Sequence, residues 1–426
     1  MKIKDIQLKI ILDSRGNPTL EAEFFPETPT DADLTRTNAE NSQSSSVLSR
    51  SSSVVSSVPA GKSKGSYEAA VLEPELAMEK FGQIKKSILE KDFKDQKEFD
   101  YFLISLDGTP TKKNLGGNLI LVLSMCFARL FARHNNLELH DYLRSLLSTF
   151  NFQLSTQSFP HPIFNVINGG AHAKSSLDFQ EFQIIPQSED FAIGLSLGEE
   201  FYKKLQRILE DKFGKDKVLL GDEAGFSCPF SSNEEALEVM YELIEKNKYP
   251  LRIGLDTAAT QFFKENKYQV GGSGYSSEQI FDYYKSIINR YNIISLEDPF
   301  SEDSFDDFAH LEKEMGGAVL VITDDLTVTN KERLKKSIET KSGNTILIKL
   351  TQIGTVSETL EVAALAYENN WKTIVSHRSG ETLDDFIADL AVGIGAWGIK
   401  AGAPAKPERM AKYNRLLEIW QSQLKV

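Results

Sequence analysis

The chain has 426 residues, 41% of them hydrophobic and 10% aromatic, enough for sizeable cores and too apolar for a mostly disordered polypeptide. Its 48 basic side chains face 61 acidic ones, and the net charge of −13 excludes a general binder of nucleic acid or anionic membranes. Cys126 and Cys228 are the only cysteines, which excludes a disulfide framework and a cysteine zinc site and suits a reducing cytoplasm.

The opening MKIKDIQLKIILD alternates apolar and charged residues, so it predicts a strand over Ile3 to Leu12 and not a signal peptide. A turn-rich DSRGNP leads to a second strand, Thr19 to Phe25. Pro26 to Ser57 is polar, with ten serines among the sixteen residues Ser42 to Ser57, and reads as a surface loop without a core of its own. Helical periodicity then runs with breaks from Leu76 to Leu147. Its most apolar stretch, Asn118 to Ala132, falls short of the ~20 residues of a membrane span and contains Arg129, so a buried helix is expected. Strands followed by helices predict a small α+β domain over residues 1–140, carrying a serine-rich insertion at about 26–53.

From Pro160 onward, apolar strands alternate with amphipathic helices, and the strands end on ionisable residues. LRIGLD ends at Asp256, NIISLE at Glu297, AVLVITD at Asp324, NTILIK at Lys349, KTIVSH at His377 and GAWGIK at Lys400. The intervals of 41, 27, 25, 28 and 23 residues match strand-plus-helix units. Such units predict an α/β fold of the (β/α)8-barrel type over residues 141–426, with the strand ends gathered on one rim.

The rim chemistry follows from those residue types. Asp256, Glu297 and Asp324 would repel one another without a cation, and an all-oxygen donor set selects Mg2+, Mn2+ or Ca2+. Any one of them alone reads equally well as a helix N-cap; three in succession do not. Lys349 and Lys400 are candidates for a base or for ion pairs to the carboxylates. The run His377-Arg378-Ser379-Gly380-Glu381 offers a clamp for phosphate or carboxylate. His172, in NGGAH, sits in a glycine-rich turn. His134, His140, His161 and His310 lack such settings and read as surface or packing residues.

In order along the chain, DSRGNPT (13–19), GSYEA (65–69), NVINGGAHA (165–173), QEF (180–182), GDEAGF (221–226), SLEDPF (295–300), DDLTVTN (324–330), LIKLTQIGT (347–355), SHRSGET (376–382), IKAGAP (399–404) and ERMAKYNRLLEI (408–419) resemble the enolase family. The resemblance covers almost the whole chain. It implies the enolase variant of the barrel behind an α+β cap, and a cytoplasmic glycolytic hydro-lyase that interconverts 2-phosphoglycerate and phosphoenolpyruvate. A secondary pool at the cell surface, or secreted, is compatible with it. It implies two Mg2+ per site, one on Asp256, Glu297 and Asp324, the second substrate-dependent and on Ser63. Lys349 would be the base at C2 and Glu223 the acid at the C3 hydroxyl, with Glu181 in support and His377 near that hydroxyl. Lys400 would bind carboxylate, Arg378 and Ser379 phosphate, and His172 would close over the substrate. A homodimer is implied, with Arg15 and the C-terminal helix near the contact.

Departures from the family pattern are AGKSKG in the mobile loop, adding Lys62 and Lys64, Ala224 where glycine is usual, Thr351 for Asn, Ala401 for Thr, and a less acidic tail. A paralogue used as a binding or scaffold protein is the alternative, although the base and every metal-ligand position are intact.

Overall fold

The computed structural model describes residues 1–27, 53–61, 66–150, 159–170 and 176–424. The serine-rich stretch, except its flanks, lies outside the described residues, as do Lys62, Ser63, Lys64 and His172.

The cap begins with three antiparallel strands, β1 (Ile3–Leu12), β2 (Pro18–Pro26) and β3 (Val54–Ser57), ordered β1-β2-β3. Alternation decides which face is buried: Ile3, Ile6, Leu20, Ala22 and Phe24 are inside, while Lys4, Gln7 and Lys9 are not. Four helices follow, α1 (Pro74–Leu89), α2 (Gln96–Asp107), α3 (Gly117–His134) and α4 (Leu139–Ser148). Helix α2 starts where Asp95 accepts the backbone N–H of Glu98 and ends at Gly108, whose φ of 69° only glycine adopts without cost. The apolar helix expected from the sequence is α3, buried on nearly every face, with Phe127 stacked on Phe99 at 4.2 Å.

The barrel has eight strands: β4 (His161–Asn168), β5 (Glu181–Pro186), β6 (Leu251–Asp256), β7 (Ile293–Glu297), β8 (Leu320–Thr323), β9 (Thr345–Ile348), β10 (Lys372–Ser376) and β11 (Gly398–Lys400). They pair in chain order and close through β11 on β4. All neighbours are parallel except that β5 runs against both β4 and β6. Ile163, Ile185, Ile322, Leu347 and Ile374 fill the interior as one apolar cluster.

Cap and barrel share polar contacts, buried and half-buried. Asp100 accepts the N–H of Ser357 at 2.9 Å, at the start of a barrel helix, and Arg129 reaches Asp384 and Asp385 at 3.0 and 2.8 Å. Among the described residues no helix is long and apolar enough to cross a membrane.

Candidate active site

All six ionisable residues expected at strand ends lie on one rim. Asp256, Glu297 and Lys400 close their strands, while Asp324, Lys349 and His377 come one residue beyond theirs. Glu181 arrives by another route. Because β5 is reversed, its first residue lies at this rim, in register with Asp256.

Lys400 is the hub. Its Nζ lies 3.0 Å from Asp256, 2.9 Å from both oxygens of Glu297 and 3.1 Å from Glu181, and all four residues are buried. Burial works against the ammonium, but the carboxylates of Asp256, Glu181 and Glu297 outweigh it and hold Lys400 well above the ordinary lysine range. Burial itself, then the Asp256 charge, pushes Glu297 up; burial and then Glu223 do the same to Glu181. Lys349 pairs with Asp324, and Gln352 donates to the other Asp324 oxygen at 2.8 Å. Burial opposes the charge on both members of that pair. Their mutual attraction wins, holding Asp324 below and Lys349 above the usual values.

Glu181, Asp256, Glu297 and Asp324 thus face Lys349 and Lys400, four formal negative charges against two positive ones. That imbalance and the oxygen donors of Asp256, Glu297 and Asp324 fit one hard divalent cation. Asp298 and Asp325 add carboxylates that come within 4.8 Å of Asp324, a convergence that strand-end spacing does not reveal. Both Asp298 oxygens accept backbone N–H groups, from Asp324 at 3.0 Å and Asp325 at 2.8 Å, which fixes the turn that presents Asp324.

Across the same cavity stand Glu223 and His377, with Nε2 of the imidazole 3.2 Å from Oε2 of the acid. Asn165 donates to that oxygen at 2.9 Å. Burial, with Arg409 adding to it, pushes His377 down to about 4, so its ring is neutral near pH 7. Glu223 lies between two short strands, Leu219–Leu220 and Phe226–Ser227, in a loop where Ala224 takes φ 66°.

The cap supplies the remaining wall. Ala60 and Gly380 exchange backbone hydrogen bonds of 2.8 and 2.9 Å, docking the segment before Ser63 on the Arg378 loop. Gly61 leaves room for the Arg378 guanidinium, which would have to shift from a Cβ placed 2.0 Å away. Arg378 itself is held by both oxygens of Glu68, at 2.9 and 3.1 Å, and by Thr351 Oγ1 at 2.7 Å. Arg15 points inward, donating to Ser379 Oγ at 3.2 Å and to the Ala60 carbonyl at 3.0 Å. The site cavity is small, about 20 Å³, since Lys400 and Lys349 reach into the carboxylates. A larger cavity, about 500 Å³, lies apart from this chemistry, in a cleft bordered by Leu12, Arg129, Leu383 and Glu408.

Of the residues singled out from sequence, Asp256, Glu297, Asp324, Lys349, His377, Arg378, Ser379, Lys400, Glu181 and Glu223 are brought together. Ser63 and His172 fall outside the described residues. Sequence reasoning assigned no role to Gln180, Asn165, Glu68, Gln352 or Arg409. All five lie within the quoted motifs, which was the signal available.

An eight-stranded barrel that gathers carboxylates and lysines on one rim, in an arrangement that fits a hard divalent cation, defines a barrel of the enzyme type. Comparison with known proteins narrows this. Residues 3–143 match the family model described as Enolase, N-terminal domain, and residues 156–424 the one described as Enolase, C-terminal TIM barrel domain. The chain is 40% identical to the enolase of Methanocaldococcus jannaschii, covering 99% of this chain and 95% of that protein. It is 40% identical to that of Methanococcoides burtonii and 38% to that of Methanococcus maripaludis, each over 98% of this chain and 94% of the relative. The chain belongs to the enolase family, the phosphopyruvate hydratases.

Proposed function

We propose that residues 1–140 cap a catalytic barrel of residues 141–426 in which Lys349 removes the C2 proton of 2-phosphoglycerate and Glu223 protonates the departing C3 hydroxyl. The observation that carries this reading is that Lys349 and Glu223 line one cavity together with Lys400 and Arg378. Asp256, Glu297 and Asp324 would hold one Mg2+, and Ser63 a second with the substrate. Bound Mg2+ supplies positive charge where the substrate carboxylate gains its second negative charge.

The chain's own groups do the rest. Asp324, with a smaller part from Glu297, keeps the Lys349 ammonium charged; with these carboxylates committed to a cation, burial and the neighbouring Arg378 and Lys400 would favour neutral Lys349. A neutral amine accepts the C2 proton, and the C2–H electron pair moves toward the carboxylate that Lys400 faces. Arg378, with Ser379 beside it, holds the phosphate, and His172 closes over the substrate. Glu223 then gives its proton to the C3 oxygen, the C3–O bond breaks, and water leaves with that pair as the C2–C3 double bond forms. Glu181, at the start of the reversed strand, supports the charge pattern around Glu223.

Exposed Leu12 and Leu383, at 67% and 68%, stand beside the large cleft and support a homodimer joined through that face. Buried, unbridged Cys126 and Cys228 support residence in the cytoplasm. The test is the rise in ultraviolet absorbance of phosphoenolpyruvate when folded protein meets 2-phosphoglycerate and Mg2+, with EDTA abolishing it. Lys349→Ala and Glu223→Gln should each lower kcat by roughly 10²- to 10⁴-fold. No turnover by a folded, Mg2+-supplied protein would leave the scaffold reading instead.

A further inference from the structure

Besides their ion pair, Lys349 and Asp324 are tied together by a buried chain of hydrogen bonds. Asp324 comes one residue after β8 and Lys349 one residue after β9. The links are Thr329, in the loop after Asp324, and Gln352, in the one-turn helix Leu350–Ile353. Gln352 Nε2 lies 2.8 Å from Asp324 Oδ1, Thr329 Oγ1 lies 2.7 Å from Gln352 Oε1, and the Lys349 backbone N–H donates to Thr329 Oγ1 at 2.9 Å. Gln352 and Thr329 are buried. The Gln352 backbone is held as well: its N–H donates to the Lys349 carbonyl at 3.0 Å, and its carbonyl accepts the N–H of Ala69, in the cap, at 2.8 Å.

This chain runs in one direction. A charged carboxylate only accepts, so the Gln352 amide turns its NH2 to Asp324 and its carbonyl to Thr329. The Thr329 hydroxyl gives its single proton to that carbonyl, the Leu347 carbonyl at 3.5 Å being the longer alternative, and its oxygen receives the Lys349 N–H. Presenting this hydroxyl strains the backbone. Val328 and Thr329, both β-branched, stand in succession in the left-handed region, at φ 43° and 50°. The turn is closed by the Asp324 carbonyl, which accepts the N–H groups of Thr327 at 3.1 Å and Val328 at 2.7 Å. The strained loop that begins at Asp324 thus returns Thr329 to the amide that holds the Asp324 carboxylate.

We infer that Gln352 is a positioning residue for the cation site: its amide fixes the orientation of the Asp324 carboxylate, and the Thr329 hydroxyl fixes the amide. This rests on Asp324 being a ligand of the cation. The residue type follows from the charge balance of the site. A lysine or arginine would also hold the carboxylate, but its positive charge would oppose a cation beside it. A glutamate has the same shape, yet when ionised it cannot donate to Asp324 and adds a like charge at 2.8 Å. A neutral amide orients the ligand and leaves the negative charge of the site as it is.

The experiment is Mn2+ binding to the full chain without substrate, read as loss of the free-ion EPR signal, with thermal melts in EDTA and at one fixed Mn2+ concentration. Mn2+ takes the same oxygen donors as Mg2+. Gln352→Met, similar in length but without a donor, should raise the Kd for Mn2+ roughly 10- to 100-fold, and Gln352→Glu at least as much. The Mn2+-induced rise in Tm should shrink in both, whereas a merely structural role would lower Tm equally in EDTA and in Mn2+. Thr329→Val keeps the branched shape without the hydroxyl and should also weaken binding; Thr329→Ser returns the hydroxyl and should bind Mn2+ several-fold more tightly than Thr329→Val. A folded Gln352→Met with wild-type Mn2+ affinity overturns the proposal, as do equal affinities in Thr329→Val and Thr329→Ser. If Gln352→Met does not fold, Gln352→Glu and the Thr329 pair decide by the same criteria. Asp324→Asn separates the two levels: lost Mn2+ binding there upholds the ligand, so that a failure at Gln352 refutes the positioning role alone, while wild-type affinity there overturns the ligand and the positioning role with it.

Discussion

Lys400→Met is the most informative single substitution, because it keeps the length of the side chain and removes the charge on which three buried carboxylates converge. In protein stripped with EDTA, Asp256, Glu297 and Glu181 would lose an ammonium that now lies 2.9 to 3.1 Å away. Breaking a buried ion pair by removing one partner costs about 3–5 kcal/mol. An unfolding entropy of ~2.1 cal/mol/K per residue gives about 0.9 kcal/mol/K for this chain, so Tm should fall by roughly 3–6 °C. Added Mg2+ should reverse the loss, since a ligand at 100 times its Kd stabilises by about 2.7 kcal/mol. Without a lysine competing for the same oxygens, the Mg2+-induced rise should be larger in the variant than in the wild type. Differential scanning calorimetry in EDTA and across a Mg2+ series measures both shifts. An unchanged Tm in EDTA, or a variant that Mg2+ fails to stabilise, would refute the reasoning that these carboxylates form one charge-balanced cation site.

Asp100, in the cap, gives a pH prediction away from the site. Burial pushes its carboxyl up to about 6, while hydrogen bonds from Ser124, Ser357 and Gln96 only partly offset this. A folded-state pKa above the unfolded value means the stabilising term is complete below about pH 4 and is lost as pH rises through about 6, roughly 3 kcal/mol in all. Urea unfolding of wild type and Asp100→Asn should therefore show the variant gaining relative to wild type between about pH 4 and 7; a pH-independent difference would contradict it. Thr351→Val removes the 2.7 Å acceptor of Arg378 and should raise KM for 2-phosphoglycerate by a few-fold, about 1 kcal/mol, with kcat nearly constant. Ala224→Gly should change stability by less than about 1 kcal/mol. Relief of the left-handed backbone, about 1–2 kcal/mol, is offset by the freer unfolded chain and the lost buried methyl. A loss above ~2 kcal/mol in urea titration would show that the methyl has a packing role beyond this balance.

Periodicity made the fold legible where burial is one-sided or strands recur at regular intervals. Alternation in Ile3–Leu12 marks the buried face of the cap sheet, and the strand-end spacing marks the rim, because each parallel strand delivers its last residue to the same side. The same rule is blind to Glu181. It opens its strand instead of closing it, and only the reversal of β5 brings it opposite Asp256. Spacing alone gives no hint of that reversal, so Glu181 was reachable only through the QEF motif and the family likeness.

The acid side of the site was less legible for a related reason. Glu223 stands in a loop between two strands of two residues each, too short to leave a periodic trace. Its geometry is imposed from far along the chain, by Tyr202 and by Ala403, Lys406 and Arg409 near the start of the last helix. From sequence, an arginine in the first turn of an amphipathic helix reads as solvated. Arg409 is wholly buried because four acceptors from two loop segments, the His377 ring among them, meet its two terminal nitrogens. A usual glycine can thus be replaced by Ala224 at φ 66° without the loop changing its course: bonds on every carbonyl from Gly221 to Ala224 fix the conformation, and the residue's own preference is overruled.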